Sequence, residues 1–294
     1  MNLNETTHEY QPDGSSLSDA QFQYVEGQGR PGFPVLLAQF ESQSAQALAQ
    51  LPCARDLPYG AHERQTFDFF PARGDAAGTL VYFHAGYWQS RDKSGFGFIA
   101  PAFTAMGLNV GLVNYPLCPT VMLAELVESA RAAVLAIKAR LARSKSSAHP
   151  LIAAGHSAGA HLAVELALTP GLAIDGVIAL SGIYDLVPLL GTTLNAKLRL
   201  DTDSAVRGSP LHRARPGAPP ALFAVGGAET QAFVAQNQAM HAAWRAAGLA
   251  SEAVVVPGAD HFSLLQDWIS PAGVLVAPVA RLLALALARQ PRRR

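Results

Sequence analysis

Seven short apolar runs, separated by longer alanine-rich stretches with helical spacing, set the fold that this 294-residue chain can adopt. The runs are TFDFF (66–70), TLVYFHA (79–85), NVGLVNY (109–115), PLIAAG (150–155), GVIALSG (176–182), ALFAVGG (221–227) and EAVVVPG (252–258). Most are continuously apolar, the pattern of strands buried on both faces, and such strands join into parallel sheets through helical crossovers. Helical spacing is clearest over 122–144, where Leu123, Leu126, Ala130, Val134, Ile137 and Leu141 recur every three or four residues opposite Glu125, Glu128 and Arg143. Further helices are predicted over 35–51, 96–106, 158–168, 231–247 and 274–289. The alternation predicts an α/β fold with a mainly parallel central sheet flanked by helices. No repeat or low-complexity linker interrupts it, so a single domain over 1–294 is expected. Two segments stand apart. Residues 1–34 are polar at first and read as a surface extension without a core of its own; residues 187–220 contain PGAPP and no strand pattern, and read as a lid over the strand ends.

Charge narrows the partners. Lys plus Arg and Asp plus Glu balance at 22 each, which leaves no field of one sign to hold nucleic acid or an anionic membrane. The terminal PRRR reads as a solubilising tail. Two cysteines, Cys53 and Cys118, are too few for a disulfide framework and fit a reducing compartment. The N-terminus lacks the basic and apolar regions of a signal peptide, and the greasy stretch before the tail is broken by Pro278 and Arg281. A cytoplasmic protein acting on a small molecule is expected, with a homodimer as a possible assembly.

The chemistry centres on LIAAGHSAGAHLAVELAL (151–168). Here a buried strand runs into a helix through Gly155-x-Ser157-x-Gly159, a turn sharp enough to hold a serine in a strained conformation above the sheet edge. Ser157 is therefore the expected nucleophile, with the next amide, that of Ala158, facing a developing oxyanion at the positive end of the new helix. A serine hydroxyl needs a base and the base an acid, in chain order serine, acid, histidine. Of the four histidines after Ser157, His161 lies in an apolar helix and reads as a core residue, and His212 and His241 read as solvated. His261 follows the last strand in GADHFSLL and is the expected base. Glu229, after ALFAVGG, is the expected acid; Asp185, after the preceding strand, is a second candidate that reads better as a loop or helix cap, and Asp260 is expected to shape its turn.

A second oxyanion donor is expected from HAGYW (84–88), through the amides of Gly86 and Tyr87. Tyr87 and Trp88 read equally as core aromatics or as walls of an aryl pocket; together with His156 they form the candidate substrate-binding set. No HExxH or paired-histidine motif is present, so neither metal nor other cofactor is expected. The alternatives are a carboxylesterase of small aryl or alkyl esters and, in another class, a noncatalytic ligand-binding protein of the same fold.

HAGYW, DKSGFGF (92–98), VNYPLCP (113–119), GHSAGAHL (155–162), SGIYDL (181–186), SPLHRA (209–214), GGAETQAFVAQ (226–236) and HFSLL (261–265) occur in one consistent order. In these motifs the chain resembles the kynurenine formamidase (arylformamidase) family and its bacterial esterase relatives in the α/β-hydrolase superfamily. The resemblance implies an α/β-hydrolase fold and a metal-free serine hydrolase that releases formate from an N-formyl arylamine such as N-formylkynurenine. Two positions depart from the family pattern. Ala85 replaces the first glycine of HGGxW, and its methyl is expected either to crowd the acyl group or to alter the backbone of the loop; Glu229 replaces a more usual aspartate.

Overall fold

The computed structural model describes residues 19–143 and 149–289. Eight strands form one sheet: β1 (Ala54–Pro58), β2 (Thr66–Phe70), β3 (Gly78–Phe83), β4 (Leu108–Val113), β5 (Leu151–His156), β6 (Gly176–Leu180), β7 (Ala221–Gly226) and β8 (Ser251–Val256), in the order β1-β2-β4-β3-β5-β6-β7-β8. From β4 across to β8 every pairing is parallel, while β2 runs antiparallel to β4 and β1 antiparallel to β2. The helices are α1 (Asp19–Tyr24), α2 (Phe33–Gln50), α3 (Ala100–Ala105), α4 (Leu123–Ala142), α5 (Ala158–Leu168), α6 (Asn195–Leu198), α7 (Thr202–Arg207), α8 (Gln231–Ala246), α9 (Leu264–Ile269) and α10 (Val276–Ala288).

The continuous apolarity of the strands serves two cores. On β3, Val81 and Phe83 join an apolar cluster with α4, α5 and α8, while Leu80 and Tyr82 join a second cluster with α3 and α10. Alternate side chains point to opposite faces, so both faces demand apolar residues.

The seven predicted strands are all present, and an eighth, β1, escaped prediction. ARDLP has no apolar run because it is an edge strand; its Asp56 and the neighbouring Asp68 of β2 are joined by Lys93 Nζ at 2.6 and 2.8 Å. The helix expected over 96–106 is split. Lys93–Ile99 forms a 3-10 turn in which Gly95 and Gly97 weaken α-helix propensity, and α3 starts beside Pro101. The short α9 was also missed, and Ser144, the expected end of α4, lies outside the described residues, as do residues 1–18 and the PRRR tail.

The N-terminal extension is more deeply anchored than expected. Tyr24 is buried in the main core, its ring 5.7 Å from that of Phe233 and its hydroxyl accepting from Gln236 Nε2 at 2.8 Å. The 187–220 segment folds as a 3-10 turn (Val187–Gly191), α6, α7 and a second 3-10 turn (Pro210–Arg213), with Leu189, Leu198 and Ala205 buried.

Candidate active site

Ser157 caps the strand-to-helix turn between β5 and α5 with φ 57° and ψ −119°, a combination that side-chain-bearing residues rarely adopt. Its amide donates to Leu180 O at 2.8 Å, tying the turn to β6. The flanking glycines are dictated by contact. A Cβ on Gly155 would stand 2.1 Å from Gly159 O, and one on Gly159 would stand 1.9 Å from Phe83 O.

The carboxyl ends of β7 and β8 supply the next two groups. His261 Nδ1 lies 2.7 Å from Glu229 Oε2. A carboxylate accepts, so Nδ1 carries the proton and Nε2 is left free to receive one. The other oxygen of Glu229 accepts from Ser181 Oγ at 2.5 Å and from the Gly226 amide at 2.8 Å. Three donors thus converge on one buried carboxylate. Asp185 serves as its expected cap: Oδ1 accepts from the Val187 amide at 3.0 Å. Asp260 closes its own turn through the Phe262 and Ser263 amides at 3.1 and 2.8 Å. Among the described residues the Ser157 hydroxyl has no hydrogen-bond partner, a contact that in such sites tightens when substrate arrives.

The HAGYW loop follows β3. Gly86 has φ 126°, and a Cβ there would meet Ser90 O at 2.3 Å; Tyr87 and Trp88 are also left-handed, at 51° and 59°. Gly86 O accepts from the Gln89 and Ser90 amides at 2.9 and 3.1 Å, which closes the turn. Beneath it, Tyr115 Oη donates to His84 O at 2.6 Å while the two rings stack at 4.3 Å. The amides of Gly86, Tyr87 and Ala158 find no acceptor among the described residues.

The substrate-binding set is divided by the structure. Tyr87 is partly exposed and donates its hydroxyl to Tyr24 O. Trp88 is instead a core residue, fully buried and edge-on to His161 at 5.1 Å. His156 is also fully buried: Nε2 donates to His261 O at 2.6 Å, so it braces the His261 loop rather than facing solvent. The Ala85 methyl belongs to the apolar cluster containing Phe96, behind the loop, which removes the basis for expecting it to crowd an acyl group. His161 has the core role expected of it, with Nε2 donating to Gly208 O at 2.8 Å. Ser181 was missed, because a serine after a strand carries no signal until the fold sets it beside Glu229.

Burial governs the charge of the supporting histidines. It pulls His84 and His161 down to about 4. Burial, and then the charge of His261, holds His156 well below the usual histidine range. The triad candidates are themselves covered: Ser157 is 1%, His261 5% and Glu229 9% exposed. A cavity of about 510 Å³ between α2 and residues 91–96 is lined by Leu37, Phe40 and Phe96, among others, and by none of the three.

Comparison with known proteins places the fold and the family. Residues 80–265 match the family model described as the alpha/beta hydrolase fold. The kynurenine formamidase of Danio rerio is 31% identical over 73% of this chain and 76% of its own length. That of Salmo salar is 28% identical over 78% and 80%. A crystal structure from Silicibacter sp., assigned provisionally as a thioesterase, superposes with a TM-score of 0.78 at 29% identity, covering 91% of this chain and all of that one. An esterase from Pyrobaculum calidifontis shares the fold at 18% identity, with a TM-score of 0.69 over 92% and 99% of the two chains. No helix among the described residues is long and apolar enough to cross a membrane. The chain belongs to the alpha/beta hydrolase fold family, as a relative of the kynurenine formamidases, and is an enzyme of the amidase and esterase kind.

Proposed function

We propose that this hydrolase cleaves small aryl amides or esters through an acyl-enzyme on Ser157, with N-formyl arylamines as its substrate class. His261 Nε2 takes the Ser157 proton as the hydroxyl attacks the carbonyl carbon, and Glu229 stabilises the imidazolium through Nδ1–H. The amides of Gly86, Tyr87 and Ala158 receive the oxyanion. Collapse of the tetrahedral intermediate passes the proton to the leaving amine or alcohol. A water deprotonated by the same nitrogen then attacks the acyl-enzyme, and its collapse releases formate, or another small acid, and free Ser157. No step calls for a metal or cofactor.

The observation that carries this reading is the Glu229–His261 bond of 2.7 Å at the same sheet edge as the strained Ser157 turn. The kinship with the kynurenine formamidases supports a formyl group and an aromatic amine over a long-chain ester. A reducing, cytoplasmic setting fits two free cysteines, Cys53 and Cys118, whose thiols burial pushes up to about 11. The test is turnover of formanilide, acetanilide, phenyl acetate and phenyl octanoate by wild type and Ser157→Ala, with fluorophosphonate labelling of Ser157. Formanilide and phenyl acetate are expected to lead and Ser157→Ala to be inert; preference for octanoate, or an unlabelled Ser157, would reject the reading.

A further inference from the structure

Arg91 ends the loop that presents Gly86 and Tyr87, in a left-handed backbone position with φ 75°. A Cβ built on Gly86 would lie 2.9 Å from Arg91 Cγ, so the aliphatic stem of the arginine rests against that glycine. The guanidinium carbon stands 5.6 Å from the centroid of the Phe262 ring. Phe262 is the chain neighbour of His261, the two rings meeting edge-on at 5.4 Å. The side chain therefore spans from the loop with free amides to the loop with the candidate base.

This cation is exposed, and no carboxylate among the described residues lies within ion-pair distance of it. Asp92, next in the chain, is already occupied. Its oxygens accept from Arg64 Nη1 at 3.2 Å, Asn114 Nδ2 at 2.6 Å and the Ser94 amide at 2.9 Å. Burial works against its charge, yet those hydrogen bonds and Arg64 prevail and hold the carboxyl at about 2. Arg64 Nη2 also donates to Arg91 O at 2.7 Å, which pins the Arg91 backbone and leaves its guanidinium uncommitted. The same side chain borders the 510 Å³ cavity beside α2 and so has room to reorient.

A planar five-donor fork, set over an aromatic ring and unmatched by any anion among the described residues, is suited to a planar carboxylate. We propose that Arg91 is a specificity-determining residue that receives a carboxylate carried on the substrate, so that anionic aryl amides and esters are preferred over neutral ones. The inference rests on the reading of Ser157 as the nucleophile of this site.

The experiment compares kcat/KM for formanilide and for 3-formamidobenzoate, which differ by one ring carboxylate, in wild type, Arg91→Gln and Arg91→Lys. In Arg91→Gln the ratio of anionic to neutral kcat/KM should fall by about five- to tenfold, mainly through KM, as expected for loss of a charge-assisted contact at a partly exposed site. Arg91→Lys imposes the same backbone demand and keeps the charge, so it should restore part of the ratio; added salt should compress the ratio in wild type alone. An unchanged ratio in Arg91→Gln, with formanilide still cleaved and Ser157 still labelled, overturns the role of Arg91 and leaves the hydrolase reading intact. If neither substrate is cleaved and Ser157 resists labelling, the hydrolase reading is the one that fails. Calorimetric binding of benzoate against benzamide to the Ser157→Ala protein then judges Arg91 alone: benzoate should bind more tightly, an advantage that Arg91→Gln removes, and equal binding of the two overturns the proposal.

Discussion

His156 Nε2 donates to the backbone carbonyl of His261 at 2.6 Å, so the residue before the candidate nucleophile holds the loop that carries the candidate base. The two imidazoles lie 4.6 Å apart at 43°. Burial and the neighbouring His261 keep His156 neutral, with its proton on Nε2, because the partner is a carbonyl oxygen. The link joins the ends of β5 and β8, which are three strands apart in the sheet.

Breaking this link should loosen the base without touching substrate. His156→Leu is expected to lower kcat by about tenfold with a change in KM below about threefold, the cost of leaving a buried carbonyl unpaired and a base mispositioned. His156→Gln, whose amide offers a donor, should recover part of kcat. Equal losses in the two variants, or a loss wholly in KM, would assign His156 a different role.

The acid assignment separates two carboxylates. Glu229→Gln keeps the side-chain shape but removes the charge opposite Nδ1, and kcat should fall by about a thousandfold. Asp185→Asn retains an oxygen for the Val187 amide, so its kcat should stay within about threefold of wild type. Steady-state kinetics of both variants decide the matter, and the reverse order would move the acid to Asp185.

How much of this was legible in the sequence depends on the range of the forces involved. The β5–Ser157–α5 turn could be read because apolar runs, glycines forced by close contact and a helical stripe are all local signals. Glu229 and His261 were legible through their places after β7 and β8. Ser181, the His156–His261 bond and β1 were not, since each depends on a partner brought close only by the sheet. Trp88 shows the same limit from the other side: an aromatic beside a reactive loop reads alike whether it lines a pocket or, as here, packs against His161.

The buried histidines predict acid sensitivity. His84 and His161 titrate near 6.5 when unfolded and at about 4 when folded. Between those values the unfolded chain binds more protons, so stability is full above about pH 6.5 and falls as pH drops toward 4, by about 3 kcal/mol for each of the two. His156 acts in the same direction. Urea midpoints at pH 7, 6, 5 and 4.5 should decline steadily, and His161→Leu, whatever it does to absolute stability, should flatten that decline. A midpoint independent of pH over this range would mean that these histidines charge inside the fold.

The final prediction concerns entry to a serine that is 1% exposed. The stretch from the end of α1 to the start of α2 is fastened beside the site: Thr230 Oγ1 donates to Gln23 O at 2.7 Å, Gln28 Nε2 donates to Thr230 Oγ1 at 3.0 Å, and Arg30 Nη2 donates to Ala228 O at 2.6 Å. Tyr87 donates to Tyr24 O from the loop below. Of these bonds only that of Arg30 is exposed, the others being part-buried or buried, so its loss is the least costly way to loosen the segment locally. If this segment covers the entry path, Arg30→Ala should raise the rate at which a bulky fluorophosphonate labels Ser157 by about threefold or more, the effect of losing a charged hydrogen bond worth about 1 kcal/mol. A small fluorophosphonate should gain less, because it needs less of the segment to move. Equal gains for both probes would place the effect in the chemistry of the site, and no gain for either would mean that substrate enters by another path, leaving residues 187–220 as the next segment to loosen.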